Sequence, residues 1–205
     1  YAVASIFTKH KKYVYDNDLV AGTVRGLIDD SIEQGYLNHA SGIVGSYGLR
    51  SFWTNADHYG ADYDTFLKDG VKGTLSSDKI RINAAEITMK AFGQMIMQYA
   101  EAALSSANCF AKDSVEYINL INIYEVCKNV SYMVPSTFRE AIQLVWFTYI
   151  AFYYEGRYAM ALGRLDQYLY PFYKRDIEEN RITKDEALDI IACTLYKIGE
   201  VRYFV

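Results

Sequence analysis

Apolar residues recur every three or four positions along most of the chain, which is the spacing of one face of an α-helix. The longest such pattern runs from residue 80 to about residue 106, and its apolar face consists of Ile80, Ala84, Ile87, Ala91, Met95, Tyr99 and Ala102. The stretch 138–154 is apolar on nearly every side, which predicts a helix buried around most of its circumference. The chain is therefore expected to be mainly α-helical.

Capping signals predict where three helices begin. Thr137 with Glu140, and Thr183 with Glu186, have the spacing of a capping box, in which each side chain bonds the backbone N–H of the other residue. Asp113 resembles the first residue of a third such box. The helix after Asp113 is expected to bury Val115, Ile118, Ile121 or Asn122, Val126 and Val130. The helix after Thr183 is expected to bury Ala187, Ile190, Ile191, Leu195 and Ile198.

The elements before residue 70 are shorter. Residues 2–11 have the pattern of the end of a helix, and the stretch 19–24 has that of a short strand or extended piece. Asp62 is placed to cap a short helix over residues 63–68, which Gly70 would end. No repeat or linker separates these pieces, so one domain, or part of one, is the economical interpretation.

Charge and cysteine content exclude several classes of protein. A net charge of −4 gives no basic surface for nucleic acid or anionic lipid, so neither partner is expected. Cys109, Cys127 and Cys193 have no metal-ligand spacing and no disulfide pattern, which favours a reducing cytoplasm and no metal site. Cys127 and Cys193 lie on predicted helix faces and are interpreted as core residues. The most apolar run, 141–154, is too short to span a bilayer.

His58 is the best candidate for acid or base chemistry. Asp57 precedes it and Asp62 follows four residues later, and a carboxylate neighbour can orient an imidazole. Trp53 and Asn55 belong to the same aromatic and polar stretch, which has the composition of a pocket lining. The alternative is that His58 only ties down an aromatic loop.

A second polar group, Arg164, Asp166 and Gln167, lies between two apolar segments. Their donors and acceptors can satisfy one another, so we expect a structural motif in which Arg164 is largely buried against Asp166 or Gln167. Binding of an anionic substrate is the alternative. Signatures of phosphate loops, zinc proteases and serine hydrolases are all absent from the sequence.

Two runs resemble the pyruvate formate-lyase domain of the glycyl radical enzymes. The first is Thr-Phe-Arg-Glu-Ala-Ile-Gln-Leu-Val-Trp-Phe at 137–147, and the second is Gly-Arg-Leu-Asp-Gln-Tyr-Leu-Tyr-Pro-Phe-Tyr-Lys-Arg-Asp-Ile at 163–177. The stretch 14–22 is similar to an early acidic turn of that family, and 58–63 is similar to a His-x-x-x-Asp-Tyr stretch in its dehydratase-like and decarboxylase-like branches. The resemblance extends over nearly the whole chain.

This resemblance implies a cytoplasmic anaerobic lyase with a ten-stranded β/α barrel, usually a homodimer, that acts on a small organic substrate. It also implies that a radical-SAM activating enzyme would install a glycyl radical, which would oxidise a cysteine to the thiyl radical that attacks the substrate. His58, Trp53 and Asn55 would then face the substrate.

The family's Gly-Cys-x-Glu and Arg-Val-x-Gly-Tyr motifs do not occur in this chain. We therefore expect no catalytic residue and no directly bound cofactor in residues 1–205. Because neither terminus carries a helix signal, residues 1–205 are interpreted as the helical amino-terminal part of such a domain, truncated at both ends. A formate acetyltransferase fragment and a non-catalytic helical scaffold are the alternatives.

Overall fold

The computed structural model describes residues 1–23, 60–76, 83–154 and 160–201. These ranges contain seven helices and no strand, apart from one isolated parallel bridge between Gly60 and Ala161. The helices are α1 (Ala2–Lys9), α2 (Tyr63–Ser76), α3 (Asn83–Ala107), α4 (Val115–Val130), α5 (Phe138–Tyr154), α6 (Leu165–Glu178) and α7 (Lys184–Val201). The predicted mainly α class is confirmed.

Helix α5 is the centre of the fold. Fourteen of its seventeen residues are buried, and it packs against α1, α2, α4, α6 and α7. Trp146, Phe147 and Ile150 are almost completely removed from solvent. A helix that is apolar on all sides is stable only when other elements surround it, and that is the arrangement here.

The predicted capping boxes begin α5 and α7. Thr137 N donates to Glu140 Oε2 at 3.2 Å, and Glu140 N donates to Thr137 Oγ1 at 3.2 Å. At α7 the equivalent distances are 2.8 Å from Thr183 N to Glu186 Oε2 and 3.2 Å from Glu186 N to Thr183 Oγ1. Each box satisfies two of the backbone donors that a helix start leaves free.

The prediction for α4 was wrong at its start and for part of its buried face, although Val130 is buried as predicted. Ser114, not Asp113, is the N-cap, and its Oγ accepts from Tyr117 N at 3.1 Å. The buried residues are Leu120, Ile123, Cys127 and Val130, whereas Val115 and Ile118 are exposed. Apolar residues occupy more than one side of this helix, so spacing alone allowed two faces. In α7, Leu195 is likewise exposed, and Thr194 and Lys197 are buried in its place.

Asp62 caps α2 as predicted, because its Oδ1 accepts from Thr65 N at 3.1 Å. Gly70 breaks the helix with φ = 62°, a left-handed conformation that favours glycine. The chain then resumes a helical course to Ser76, so the element is longer than the sequence predicted. A Cβ at Gly70 would lie 3.0 Å from the backbone oxygen of Met133, so the turn before α5 packs directly on this break.

Helices α3 and α4 approach closely at Gly93. A Cβ at this position would lie 2.7 Å from the backbone oxygen of Ser131, a contact that the backbone must move to relieve. We therefore expect Gly93→Ala to lower the free energy of unfolding by about 1–3 kcal/mol, as overpacked cores do. Gly199→Ala in α7 is the matched control, because no atom of the described residues lies within 4 Å of a Cβ placed there. Chemical denaturation of both variants tests this, and equal stability of the two would contradict the close approach.

Candidate functional site

The segment Asp18–Thr23 crosses the core without forming a helix or a strand. Val20 and Ala21 are fully buried, and so is Thr23 to within a few per cent. Buried backbone N–H and C=O groups must find partners, and outside secondary structure side chains can supply them. Helices α3, α4, α5 and α7 supply them, and we call this set of side chains the clamp.

Gln143 and Trp146 of α5 hold the middle of the segment. The Gln143 amide makes two bonds to one residue, because Ala21 N donates to Oε1 at 2.7 Å and Nε2 donates to the Ala21 oxygen at 2.8 Å. Trp146 Nε1 donates to the oxygen of Gly22 at 3.1 Å. Gly22 has φ = 110°, and a Cβ there would lie 3.0 Å from both Trp146 and Ile150, so only glycine fits.

Tyr99 and Tyr154 bind the end of the segment. The Tyr154 hydroxyl donates to the Thr23 oxygen at 2.8 Å, and the Tyr99 hydroxyl lies 3.2 Å from the same oxygen and 3.1 Å from the Tyr154 hydroxyl. Burial raises the pKa of Tyr99 to about 12, although its hydrogen bonds to Tyr154 and Thr23 oppose the shift. Tyr99 therefore works as a neutral hydrogen-bonding phenol at physiological pH.

Asn119 and Arg139 bind the beginning. Asn119 Nδ2 donates to the oxygens of Asp16 and Asp18 at 3.0 and 2.6 Å. The Arg139 Nη2 donates to the Leu19 oxygen at 3.1 Å and to Asn119 Oδ1 at 3.2 Å. Burial lowers the pKa of Arg139 from its ordinary value, but an arginine this basic stays charged.

Lys197 of α7 completes the clamp. Its Nζ lies 2.8 Å from Asp18 Oδ1 and 3.3 Å from the Gly22 oxygen. The side chains of Lys197 and Asp18 are only 4% and 10% exposed, so this is a buried ion pair. Asp18 Oδ2 accepts in addition from Tyr15 N at 3.1 Å.

The clamp lies where the chain enters residues 24–59, which contain the predicted substrate-facing residues. His58, Trp53 and Asn55 lie outside the described residues, so their placement stays a prediction. Described residues flank this stretch on both sides. On one side, Thr23 is bound to Tyr154 at the carboxyl end of α5. On the other side, Gly60 forms the parallel bridge with Ala161, which follows Tyr154 by seven residues.

Two stacked tyrosines lie just after this bridge. The rings of Tyr63 and Tyr168 are 5.6 Å apart at 29°, and the Tyr168 hydroxyl donates to the Leu162 oxygen at 2.7 Å. Burial raises the pKa of both phenols, so neither serves as a base at neutral pH. They link α2 to α6 close to Gly60, where the described structure resumes after residue 59.

The predicted burial of Arg164 was wrong. Arg164 does pair with Asp166, with Nη2 2.9 Å from Oδ2, but the two side chains are 69% and 68% exposed. Gln167 is also exposed, and its backbone N–H donates to the Arg164 oxygen at 2.9 Å. The three residues lie at the start of α6, where side chains two positions apart can meet in solvent without entering the core.

Arg164→Ala is accordingly expected to change the melting temperature by less than about 2 °C, because exposed ion pairs contribute little. Thermal unfolding followed by circular dichroism measures this. A larger loss would restore a structural role for the pair.

The three cysteines differ in burial, and Cys127 has no activated thiol. Cys127 is fully buried in α4, and burial raises its pKa, so its thiol stays protonated and unreactive. Cys193 is partly buried and Cys109 is exposed. Within residues 1–23, 60–76, 83–154 and 160–201, no group of three or more His, Cys, Asp or Glu side chains is arranged to hold a metal ion. No helix in this part of the chain is long and apolar enough to cross a membrane.

The sequence reasoning missed the clamp. A signal for it existed in Gln143, a polar residue within the apolar run 141–154. Lys197 gave no such signal, because it is not one of the residues on the apolar face predicted for α7. The sequence reasoning also missed Asp176 of α6, a buried carboxylate whose Oδ2 accepts from Phe138 N at 2.7 Å. Asp176 thereby binds the first turn of α5.

Relatives and a solved structure share this sequence and fold. An isethionate sulfite-lyase from Oleidesulfovibrio alaskensis is 30% identical over 161 residues, which are 69% of this chain and 19% of the relative. A trans-4-hydroxy-L-proline dehydratase from Clostridioides difficile is 33% identical over 140 residues, 67% of this chain and 16% of the relative. The crystal structure of a glycyl radical enzyme from Archaeoglobus fulgidus matches with a TM-score of 0.76 at 22% identity. That match covers 97% of this chain and 34% of the solved one, so the fold is shared.

The chain thus spans less than a fifth of the length of these curated relatives. The family model described as pyruvate formate lyase-like matches residues 2–205. The resemblance of the two runs at 137–147 and 163–177 is thereby confirmed, and the chain belongs to the pyruvate formate lyase-like family of glycyl radical enzymes.

Proposed function

We propose that this chain is the helical amino-terminal portion of a larger glycyl radical lyase, a partial domain that supports one side of a substrate pocket. The reaction is the breaking of a C–O or C–C bond in a small organic substrate by a thiyl radical. The name of one relative supports this class, since a dehydratase removes water and so breaks a C–O bond. The sulfite-lyase differs, because release of sulfite breaks a C–S bond. Because the two relatives are named for different substrates, the substrate of this protein has to be found by experiment.

The observation that carries the proposal is the clamp. Side chains from four helices bind the backbone of Asp18–Thr23, and this segment leads directly into residues 24–59. Radical chemistry requires that the substrate be held in a fixed geometry. Residues on a rigid support hold it at a lower cost in conformational entropy. In this proposal His58, Trp53 and Asn55 face the substrate, and the clamp sets where their stretch begins.

The radical itself belongs to the rest of the enzyme. We propose a protein glycyl radical, installed by a radical-SAM activating enzyme, in a cytoplasmic homodimer. The glycine stores the radical at its Cα, and a cysteine S–H relays it to the substrate. Neither of the corresponding sequence motifs occurs in residues 1–205. The buried, protonated Cys127 is not a suitable relay.

Electron paramagnetic resonance tests this proposal on the chain itself. The purified chain, incubated without oxygen with an activating enzyme, S-adenosylmethionine and a reductant, is expected to show no glycyl doublet. A doublet at substantial occupancy would mean that residues 1–205 contain their own radical glycine, which contradicts the proposal.

The same experiment on the complete polypeptide that contains this chain is expected to give the positive result. After the same activation this polypeptide is expected to show the doublet and to eliminate water or carbon dioxide from one of a panel of small hydroxy- and carboxy-compounds. Release of sulfite from a sulfo-compound would identify a C–S lyase instead. A doublet with cleavage of pyruvate in the presence of coenzyme A would identify a formate acetyltransferase instead. A complete polypeptide that is never activated would indicate a helical scaffold.

A further inference from the structure

We propose that Lys197 is a positioning residue for the reaction proposed above: its ammonium, paired with Asp18, fixes the course of Asp18–Thr23 and so sets where the chain enters residues 24–59. This inference rests on the proposed function for its effect on turnover. Its structural part concerns described residues alone and can be tested separately.

The ammonium of Lys197 links the two ends of the segment. Its Nζ bonds the Asp18 carboxylate at 2.8 Å and the Gly22 oxygen at 3.3 Å, and these two residues lie four positions apart. Asp18 in turn accepts from Tyr15 N. One side chain of α7 therefore fixes both the start of the segment and its last turn.

The environment of this pair differs from that of the other lysine pairs in the described ranges. In each of those pairs both side chains are at least 46% exposed. The pairs are Lys68–Asp64, Lys90–Glu86, Lys128–Glu125 and Lys174–Glu178. Lys197 and Asp18 are 4% and 10% exposed. An apolar pair of similar volume would fill such a space without losing hydration, so stability alone is a weak reason for two charges here. A buried pair does specify one arrangement of its neighbours.

Gly22 is where that arrangement matters. Its oxygen accepts from both Trp146 Nε1 and Lys197 Nζ, and its backbone has φ = 110°. The orientation of this peptide determines where the next residue, Thr23, presents its oxygen to the hydroxyls of Tyr99 and Tyr154. Loss of the Lys197 donor removes the contact that α7 makes to this peptide.

The first experiment measures amide hydrogen exchange in the 205-residue chain. Lys197→Met removes the cation. The double variant Asp18→Asn with Lys197→Met removes both charges, while the amide that replaces the Asp18 carboxylate can still accept from Tyr15 N. In both variants we expect exchange of the Ala21 amide to rise by about tenfold or more, with no comparable change in α3 or α5. Lys184→Met, an exposed lysine of the same helix, is the control and should exchange like the wild type.

The second experiment uses the activated complete enzyme. The double variant is expected to keep the wild-type yield of glycyl radical and to raise KM for the substrate by about tenfold, because a misplaced support weakens binding of the substrate. Normal exchange at Ala21 and normal KM in the double variant would overturn the proposal.

The two failures are distinguishable. If the wild-type enzyme shows no radical, the proposed function is wrong, but the exchange result still decides whether Lys197 fixes the segment. If the radical forms and KM is unchanged while exchange rises, Lys197 supports the fold only and is not a positioning residue.

Discussion

Replacing Gln143 by glutamate is expected to give a protein that is nearly as stable as the wild type at low pH and much less stable at neutral pH. Glutamic acid in its protonated form has the shape and the bonding pattern of glutamine. Its carbonyl oxygen can accept from Ala21 N, and its O–H can donate to the Ala21 oxygen, which reproduces the two bonds of the native amide. The ionised form cannot donate, and it would place a carboxylate against a carbonyl oxygen.

The sign of the pH dependence follows from this environment. Burial and the loss of a donor both disfavour the charged form, so the pKa of the introduced carboxyl group would be higher in the folded chain than in the unfolded one. A raised folded pKa gives stability that is fully present below the unfolded value, about 4.3 for glutamate, and is lost as the pH rises through the folded value. At neutral pH we expect a loss of about 3 kcal/mol, the lower end of the cost of an unpaired buried charge.

Urea denaturation at several pH values measures this difference, always relative to the wild type at the same pH so that other carboxylates cancel. Gln94→Glu, an exposed position in α3, is the control and should show no such dependence. A Gln143→Glu protein that is equally destabilised at every pH would mean that the side chain fills space but does not bond the Ala21 backbone.

The helices could be predicted from the sequence because their signals are local. The capping boxes at Thr137 and Thr183 and the apolar stretch between 138 and 154 each involve residues within a few positions of one another. Where a helix has apolar residues on several sides, as α4 has, local spacing no longer decides which side is buried. The error at Val115 and Ile118 arose in this way, because packing against α3 and α5 selected the other face.

The clamp could not be predicted in this way, because its members are far apart in the sequence. Tyr99 and Thr23 are separated by 76 positions, Gln143 and Ala21 by 122, and Lys197 and Gly22 by 175. Periodicity carries no information about such pairs. At Arg164 the local part of the prediction was correct, because Arg164 does pair with Asp166. The predicted burial of the pair was wrong, because burial depends on the surrounding fold. A polar residue within an apolar helix face was the informative signal.

Asp176→Ala is expected to lower the free energy of unfolding by about 3 kcal/mol, because two bonds to a buried carboxylate are lost together. Asp176 Oδ2 accepts from Phe138 N at 2.7 Å, and Oδ1 accepts from Arg181 Nη1 at 3.2 Å. Phe138 is buried, so its N–H would be left without a partner at the first turn of the central helix. The Arg181 side chain is partly exposed and can turn to solvent, which limits the loss on that side.

For a chain of this size that loss corresponds to a fall in melting temperature of roughly 6–12 °C. Asp176→Asn separates the two contributions, because an amide oxygen can still accept from Phe138 N while the charge that attracts Arg181 is gone. We expect it to lose less than half as much as the alanine variant. Glu178→Ala, two positions along the same helix and exposed, is the control and should unfold like the wild type. If Asp176→Asn is as damaging as Asp176→Ala, the charge on Asp176 and not the cap on α5 is what stabilises the start of the central helix.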